Sequence, residues 1–117
     1  MSVTGLVVTW LTIGAVGSIA VADLLKAQNV IDNATAVRVP LTWLPMLGIL
    51  KLAGALGLAA GLAGIEPLGV AAAAGLVAFF VIAVGAHVRA RVLHNIAFPG
   101  SYLALAVGSL AFAAGRL

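Results

Sequence analysis

The chain alternates between long apolar stretches and short polar connections. A helix that crosses a bilayer needs about 20 mainly apolar residues, and four stretches meet this requirement. Short connections favour antiparallel neighbours. The pattern therefore predicts an all-α membrane protein, a four-transmembrane-helix antiparallel bundle that forms a single domain over residues 1–117. The predicted spans cover residues 3–24, 43–64, 68–87 and 99–116.

The longest connection, residues 25–42, has a hydrophobic periodicity of its own. Its apolar residues recur at the spacing of one helix face: Val30, Ile31, Ala34 and Val37. Because an amphipathic helix beside a membrane lies in the interface, we expect a short interfacial helix between spans one and two. An irregular surface loop is the alternative. The polar residues, Asn33 among them, form either a solvated face or part of a lid over a pocket.

Composition supports a membrane location. The chain is 64% hydrophobic and 8% charged, whereas soluble domains are about 45–50% apolar and roughly 25% charged. The six Lys and Arg residues are scattered along the chain, so they form no continuous basic stripe of the kind that binds nucleic acid. The chain has no cysteine, which excludes disulfides, thiolate nucleophiles and Fe–S clusters.

The basic residues also predict orientation. Four of the six lie in the two long connections, at Lys26, Arg38, Arg89 and Arg91. The opposite end of the bundle holds Arg116 and the amino terminus. By the positive-inside rule, the two long connections face the cytoplasm and both termini lie outside.

Small residues are spaced for close helix packing. Gly57 and Gly61 make a GxxxG pair in span two, and similar pairs recur in spans three and four. Such surfaces let helix backbones approach one another in a membrane. They serve contacts within the bundle, a homo-oligomer or a membrane protein partner, and the sequence does not distinguish these uses.

One ionisable residue lies well inside a predicted span. Lys51 is about eight residues into span two, roughly 12 Å from its start at 1.5 Å per residue, and intramembrane charges usually mark functional sites. Asp23, His87 and Tyr102 fall at span ends on the same side. We therefore predict one polar pocket in the cytoplasmic half, with Asp23 as counter-ion of Lys51. The alternatives are that Lys51 snorkels to the interface or makes a purely structural ion pair.

Other polar residues complete the candidate site. Trp43 sits where an interfacial aromatic belongs, and Arg89 either anchors the interface or grips an anionic group. With Asn95 and Tyr102 they are the predicted substrate-binding residues. His87 and His94 differ by seven positions, but two histidines without nearby Cys, Asp or Glu are a weak metal signal. We therefore predict no metal site.

The order of features resembles the DoxX-like family of small bacterial integral membrane proteins. The similar segments are Ala-Asp-Leu-Leu at 22–25, Val-Pro-Leu-Thr-Trp-Leu-Pro at 39–45, Leu-Lys-Leu-Ala-Gly-Ala-Leu-Gly-Leu at 50–58 and Ala-His-Val-Arg at 86–89. The resemblance implies a four-helix bundle in the bacterial cytoplasmic (inner) membrane. It implies no single activity, since some relatives are subunits of quinone-linked oxidoreductases and others assist partner proteins.

Three functions are compatible with the sequence. The first is binding of a lipophilic small molecule, quinone- or isoprenoid-like, in the polar pocket. If catalysis occurs there, Asp23 or His87 would act as acid or base and Lys51 would stabilise an oxyanion; isomerase, hydrolase and quinone-linked oxidoreductase chemistry all stay open. No cofactor is evident other than a quinone. The second is a non-catalytic subunit or assembly factor of a larger redox complex. The third, a small multidrug-type transporter, is disfavoured because the middle of span one has no carboxylate.

Overall fold

The computed structural model describes residues 2–117, and every regular element among them is helical. Four long helices carry the predicted spans, and their ends agree with the predicted ends to within three residues. The elements are α1 (Val3–Leu24), α2 (Gln28–Ala36), a 3-10 turn (Leu41–Trp43), α3 (Leu44–Leu62), α4 (Glu66–Arg89) and α5 (Ala97–Ala113).

The differences at the helix ends follow from capping chemistry. Glu66 precedes the predicted third span by two residues, yet it is the first residue of α4. A carboxylate is stabilised near a helix N-terminus, and Pro67 is tolerated there because its missing N–H would have no partner anyway. The last helix ends at Ala113, earlier than predicted, because Gly115 adopts a left-handed φ of 76° that terminates a helix.

The four long helices form a ring around one core. Helix α1 packs against α3 and α5, and α4 packs against the same two helices. The core consists of the buried side chains Val16, Leu58, Ala73, Leu76, Phe80 and Ala106. In this ring α1 and α4 finish at the same end of the bundle, where α2 also lies. We call this the α2 end.

Glycines allow the hairpin of α3 and α4 to close. A Cβ atom added at Gly61 would lie 2.6 Å from the Cα of Gly69, and one added at Gly57 would lie 2.5 Å from the Cβ of Ala72. No side chain fits at such distances, so the backbones touch directly at Gly61 and Gly69, and the Gly57 backbone packs against the methyl group of Ala72. The GxxxG pair of span two is therefore used within the chain. Gly75, by contrast, has open space where its side chain would be.

A polar contact that the sequence did not reveal joins α1 to α5. The hydroxyl of Ser109 donates to Thr12 Oγ1 at 2.8 Å, and Thr12 Oγ1 in turn lies 3.1 Å from the carbonyl oxygen of Leu105. Ser109 and Thr12 are fully buried. Such hydrogen bonds between helices hold membrane bundles together.

The predicted amphipathic helix is present as α2. Its buried side chains, Val30 and Ala34, pack with Leu44 of α3 and against Ile19 and Ala22 of α1. The apolar face therefore covers the junction of α1 and α3, and the irregular-loop alternative is wrong. Location of this helix in the membrane interface stays a prediction.

All five helices end in the same backbone pattern, but with different residues. The residue after each C-cap is left-handed: φ is 52° at Lys26, 62° at Arg38 and 59° at Arg91, and it is also positive at Gly64 and Gly115. The next N–H bonds back across the turn, as Ala27 does to Ala22 at 3.0 Å. These are Schellman caps, in which glycine is the usual left-handed residue.

The outer surface of the bundle is apolar. Large side chains such as Trp10, Ile82 and Phe98 are 59%, 72% and 67% exposed. Helices α1 and α4 are long and apolar enough to cross a membrane, as is α3 together with its preceding turn, whereas α5 is apolar but shorter. Exposed apolar surface on this scale marks contact with lipid or with another protein.

Candidate ligand-binding site

A buried ion pair forms the centre of the site. Lys51 Nζ lies 2.6 Å from Asp23 Oδ2, with side-chain exposures of 11% and 3%. Asp23 belongs to the last turn of α1, and Lys51 is about two helical turns inside α3. The structure confirms the predicted pairing, and Lys51 reaches across to α1.

Close packing of α1 and α3 positions the pair. Gly48 precedes Lys51 by three residues, and a Cβ atom there would lie 3.0 Å from the carbonyl oxygen of Ala20 and 3.1 Å from the Cβ of Asp23. The missing side chain lets the two helices approach at this height. The ammonium of Lys51 also lies 5.2 Å from the ring centroid of Phe79, a distance at which a cation is attracted to an aromatic face.

A second polar group, centred on His87, lies beside the ion pair. His87 Nδ1 is 2.9 Å from the carbonyl oxygen of Ala83, and Nε2 is 3.2 Å from Asn33 Oδ1. Asn95 Nδ2 donates to the same Asn33 oxygen at 3.2 Å. The network thereby ties α4 to α2 and to the connection before α5.

The hydrogen-bonding capacity of this network changes with one proton. A carbonyl oxygen only accepts, so Nδ1 of His87 donates to Ala83. If Asn33 also presents its oxygen, Nε2 must carry a proton too, and Asn95 Oδ1 is left buried without a partner. If both amides turn over, Asn33 Nδ2 donates to a neutral His87 and to Asn95 Oδ1, and Asn95 Nδ2 then takes the buried position that has no partner. The proton on His87 Nε2 and the orientation of the Asn33 amide are therefore linked.

Two cavities flank these groups at the α2 end. The α3 cavity has a volume of about 290 Å³ and is lined by residues of α2, α3 and α4, including Trp43 and Leu47. The α5 cavity has a volume of about 360 Å³ and extends towards α5, reaching Pro99. The walls of both are mainly apolar. Asp23, Asn33, Lys51, Phe79 and His87 line both cavities.

The comparison with known families agrees with this architecture. A sequence model of the DoxX-like family matches residues 7–109. The chain belongs to the DoxX-like family. The match includes all of the site described above, and with the apolar helices it makes this a multi-pass membrane protein. No curated protein and no solved structure matches the chain significantly.

The other four predicted site residues of this DoxX-like protein differ in whether they line a cavity. Tyr102 and Asn95 line the α5 cavity, and Trp43 lines the α3 cavity with half of its surface exposed. The ring of Tyr102 is 5.3 Å from that of Phe80. Arg89 is exposed in the last turn of α4 and lines neither cavity. The structure brings six of the seven predicted residues together and leaves Arg89 outside.

Two aromatic residues of the site were absent from the sequence prediction. Phe79 contacts the ion pair, and Phe80 stacks on Tyr102. Both lie in a continuous apolar run, where an aromatic residue is normally core. A signal was nevertheless present: Phe79, Ala83 and His87 are spaced by four, so they share one face of α4.

Metal binding gains no support from the two histidines. Helix α4 ends at Arg89, so His94 does not continue the face of His87. Within residues 2–117 no group of three or more His, Asp and Glu side chains is arranged to hold a metal ion.

Proposed function

We propose that this DoxX-like protein binds the polar head of a lipophilic small molecule, quinone- or isoprenoid-like, at the α2 end of its bundle. One observation carries the proposal: the buried Lys51–Asp23 pair and the His87 network face two adjoining cavities with largely apolar walls. Ligand pockets typically combine apolar walls with a few convergent polar groups. A purely structural ion pair would be packed by side chains and would need no such space.

The charges in the site favour an uncharged head group. Lys51 and Asp23 neutralise each other at 2.6 Å, so an anion would have to compete with Asp23. Asn33, Asn95 and His87 can each donate or accept a hydrogen bond after an amide turn or a proton shift. A head with carbonyl or hydroxyl groups matches them, with Tyr102 as a further hydroxyl in the α5 cavity.

The same residues would support acid–base chemistry on a bound head. His87 would exchange a proton with the ligand, and Asp23 would hold Lys51 in place to stabilise developing negative charge on an oxygen. Isomerase, hydrolase and quinone-linked oxidoreductase activities are the reaction classes that fit these roles. Trp43 at the mouth of the α3 cavity would contact the apolar part of the ligand.

We further propose that all four long helices cross the bilayer. Helix α5 has 17 residues, about 25 Å at 1.5 Å per residue, which is the lower limit for a span. The bundle is 40 Å long, close to the thickness of a bilayer with its head groups. In this arrangement α2 lies in the cytoplasmic interface of the bacterial inner membrane and both termini are outside.

The binding proposal is tested by native mass spectrometry with lipid analysis on the protein purified in mild detergent. His87→Ala and Lys51→Met are compared with wild type, and His94→Ala is the matched control because His94 is exposed and lines neither cavity. Tyr102→Phe removes one hydroxyl from the α5 cavity with little effect on packing.

We expect one quinone- or isoprenoid-like species to co-purify with wild type and with the His94 variant. It should be lost from the His87 and Lys51 variants and weakened by Tyr102→Phe. If all variants retain the same bulk phospholipids and nothing else, the pocket is not a ligand site.

A second candidate function is that of a non-catalytic subunit or assembly factor. It is favoured by a groove of about 440 Å³ between α3 and α4, lined largely by small residues such as Ala53, Ala71 and Gly75. Because the chain has no cysteine, a single Ala71→Cys variant reports partners of this groove by crosslinking in native membranes. Ala104→Cys, exposed on α5, is the control. A specific adduct at Ala71 alone supports the subunit role, and equal labelling at both sites argues against it.

A further inference from the structure

The type of residue that caps the helix C-termini differs between the α2 end of the bundle and the opposite end. The left-handed cap residue is basic at all three helix ends of the α2 end, namely Lys26, Arg38 and Arg91. At both helix ends of the opposite side it is glycine, Gly64 and Gly115. We call the three basic residues the basic collar.

Helix capping alone does not explain this division. Left-handed backbone is unfavourable for residues with a Cβ atom, and glycine adopts it without that penalty. A cation near a helix C-terminus interacts well with the helix dipole, but this benefit is the same at both ends of the bundle. A cause outside the helices must therefore act on the α2 end only.

The basic collar is exposed and has no charge partner among the described residues 2–117. All three residues are exposed, and the single salt bridge among residues 2–117 joins Lys51 to Asp23. Asp32 is the one exposed acid at this end, and it accepts a hydrogen bond from Gln28 at 2.7 Å. Within residues 2–117, the α2 end thus carries an excess of positive charge without ion-pair partners.

We propose that the basic collar binds the head groups of anionic phospholipids in the adjacent leaflet. Basic residues beside a membrane are attracted to anionic lipid by about 1 kcal/mol each, which corresponds to roughly five-fold per residue at 1.4 kcal/mol per tenfold. The left-handed turns place one basic residue after each of α1, α2 and α4. This site is separate from the cavities and does not require a ligand in them.

The test measures which lipid stays bound to the protein. Wild type and the triple variant Lys26→Gly, Arg38→Gly, Arg91→Gly are purified from an equimolar mixture of phosphatidylglycerol and phosphatidylcholine, and the retained ratio is measured by native mass spectrometry. Arg116→Gln is the matched control, because it removes a positive charge at the opposite end. Glycine suits all three backbone positions, so the triple variant should melt no lower than wild type.

We expect wild type and Arg116→Gln to retain phosphatidylglycerol preferentially. In the triple variant this preference should fall by up to about five-fold for each collar charge removed, which corresponds to about 1 kcal/mol per residue. The preference should also vanish near 1 M salt, where charges are screened beyond roughly 3 Å. A triple variant that keeps the wild-type ratio overturns the proposal, and so does an equal loss in Arg116→Gln. Displacement of the lipid by inorganic phosphate at matched ionic strength would make this a site for soluble anions, which also overturns it.

Discussion

Replacing Lys51 by methionine leaves Asp23 as a charge buried without its counter-ion. Asp23 has a 3% exposed side chain and its Oδ2 is 2.6 Å from Lys51 Nζ. Asp23→Leu creates the converse defect, and the double variant removes both charges while keeping similar side-chain volumes. These three proteins and wild type form a double-mutant cycle for the ion pair.

The expected magnitudes follow from burial. At 2.6 Å the attraction between the charges is about 6 kcal/mol for an effective dielectric constant near 20, and desolvation of the two ions offsets most of it. Removal of one partner is more costly because the other stays buried, about 3–5 kcal/mol in known buried pairs. The double variant should lie within about 1 kcal/mol of wild type.

The assay is reversible unfolding in mixed micelles with increasing sodium dodecyl sulfate. Trp10 lies in the half of α1 away from the α2 end, and Trp43 immediately precedes α3 at the α2 end, so their fluorescence reports both halves of the bundle. Each single variant should unfold at markedly lower detergent fraction, and the double variant should recover. If both single variants lose less than about 1 kcal/mol and their effects add, the pair is hydrated and its burial does not govern its energetics.

Two further predictions concern packing outside the site. Ser109→Ala deletes the hydroxyl contact to α1 and should lower the free energy of unfolding by about 0.6–1.7 kcal/mol. Any ligand that co-purifies with wild type should be retained. A loss of ligand would show that the α1–α5 contact is coupled to the pocket. Gly61→Ala would force a Cβ against facing backbone at 2.6 Å and should cost about 1–3 kcal/mol, whereas Gly14→Ala, which meets open space, should be neutral or stabilising. Equal melting temperatures for these two variants would contradict the close approach of α3 and α4.

The long helices could be predicted because length and apolar composition determine them almost alone. Their ends were less predictable, since Glu66 and Gly115 act through capping and backbone conformation. The short helix α2 was predictable from the spacing of Val30 and Ala34. Its neighbours were not, because packing on the junction of α1 and α3 depends on how the four long helices are arranged.

The candidate site was predictable where a residue is chemically out of place in a membrane. Lys51 and Asp23 stand out for this reason, and their pairing is confirmed. Phe79 was missed because an aromatic side chain in an apolar run carries no such contrast. Asn33 was ambiguous because its contact with His87 spans 54 positions, and nothing local in the sequence indicates a partner that distant.

The unequal lengths of α4 and α5 have a consequence for the membrane itself. These neighbours contain 24 and 17 residues, so they differ by about 10 Å at 1.5 Å per residue. If both helices cross the membrane as proposed, a bilayer of one thickness does not match both, and either α4 tilts or the lipid beside α5 becomes thinner. Local thinning would shorten the distance between the bilayer midplane and the cavities on the α5 side. If the cavities bind a lipophilic molecule as proposed, membrane thickness then controls how readily that molecule enters the bundle.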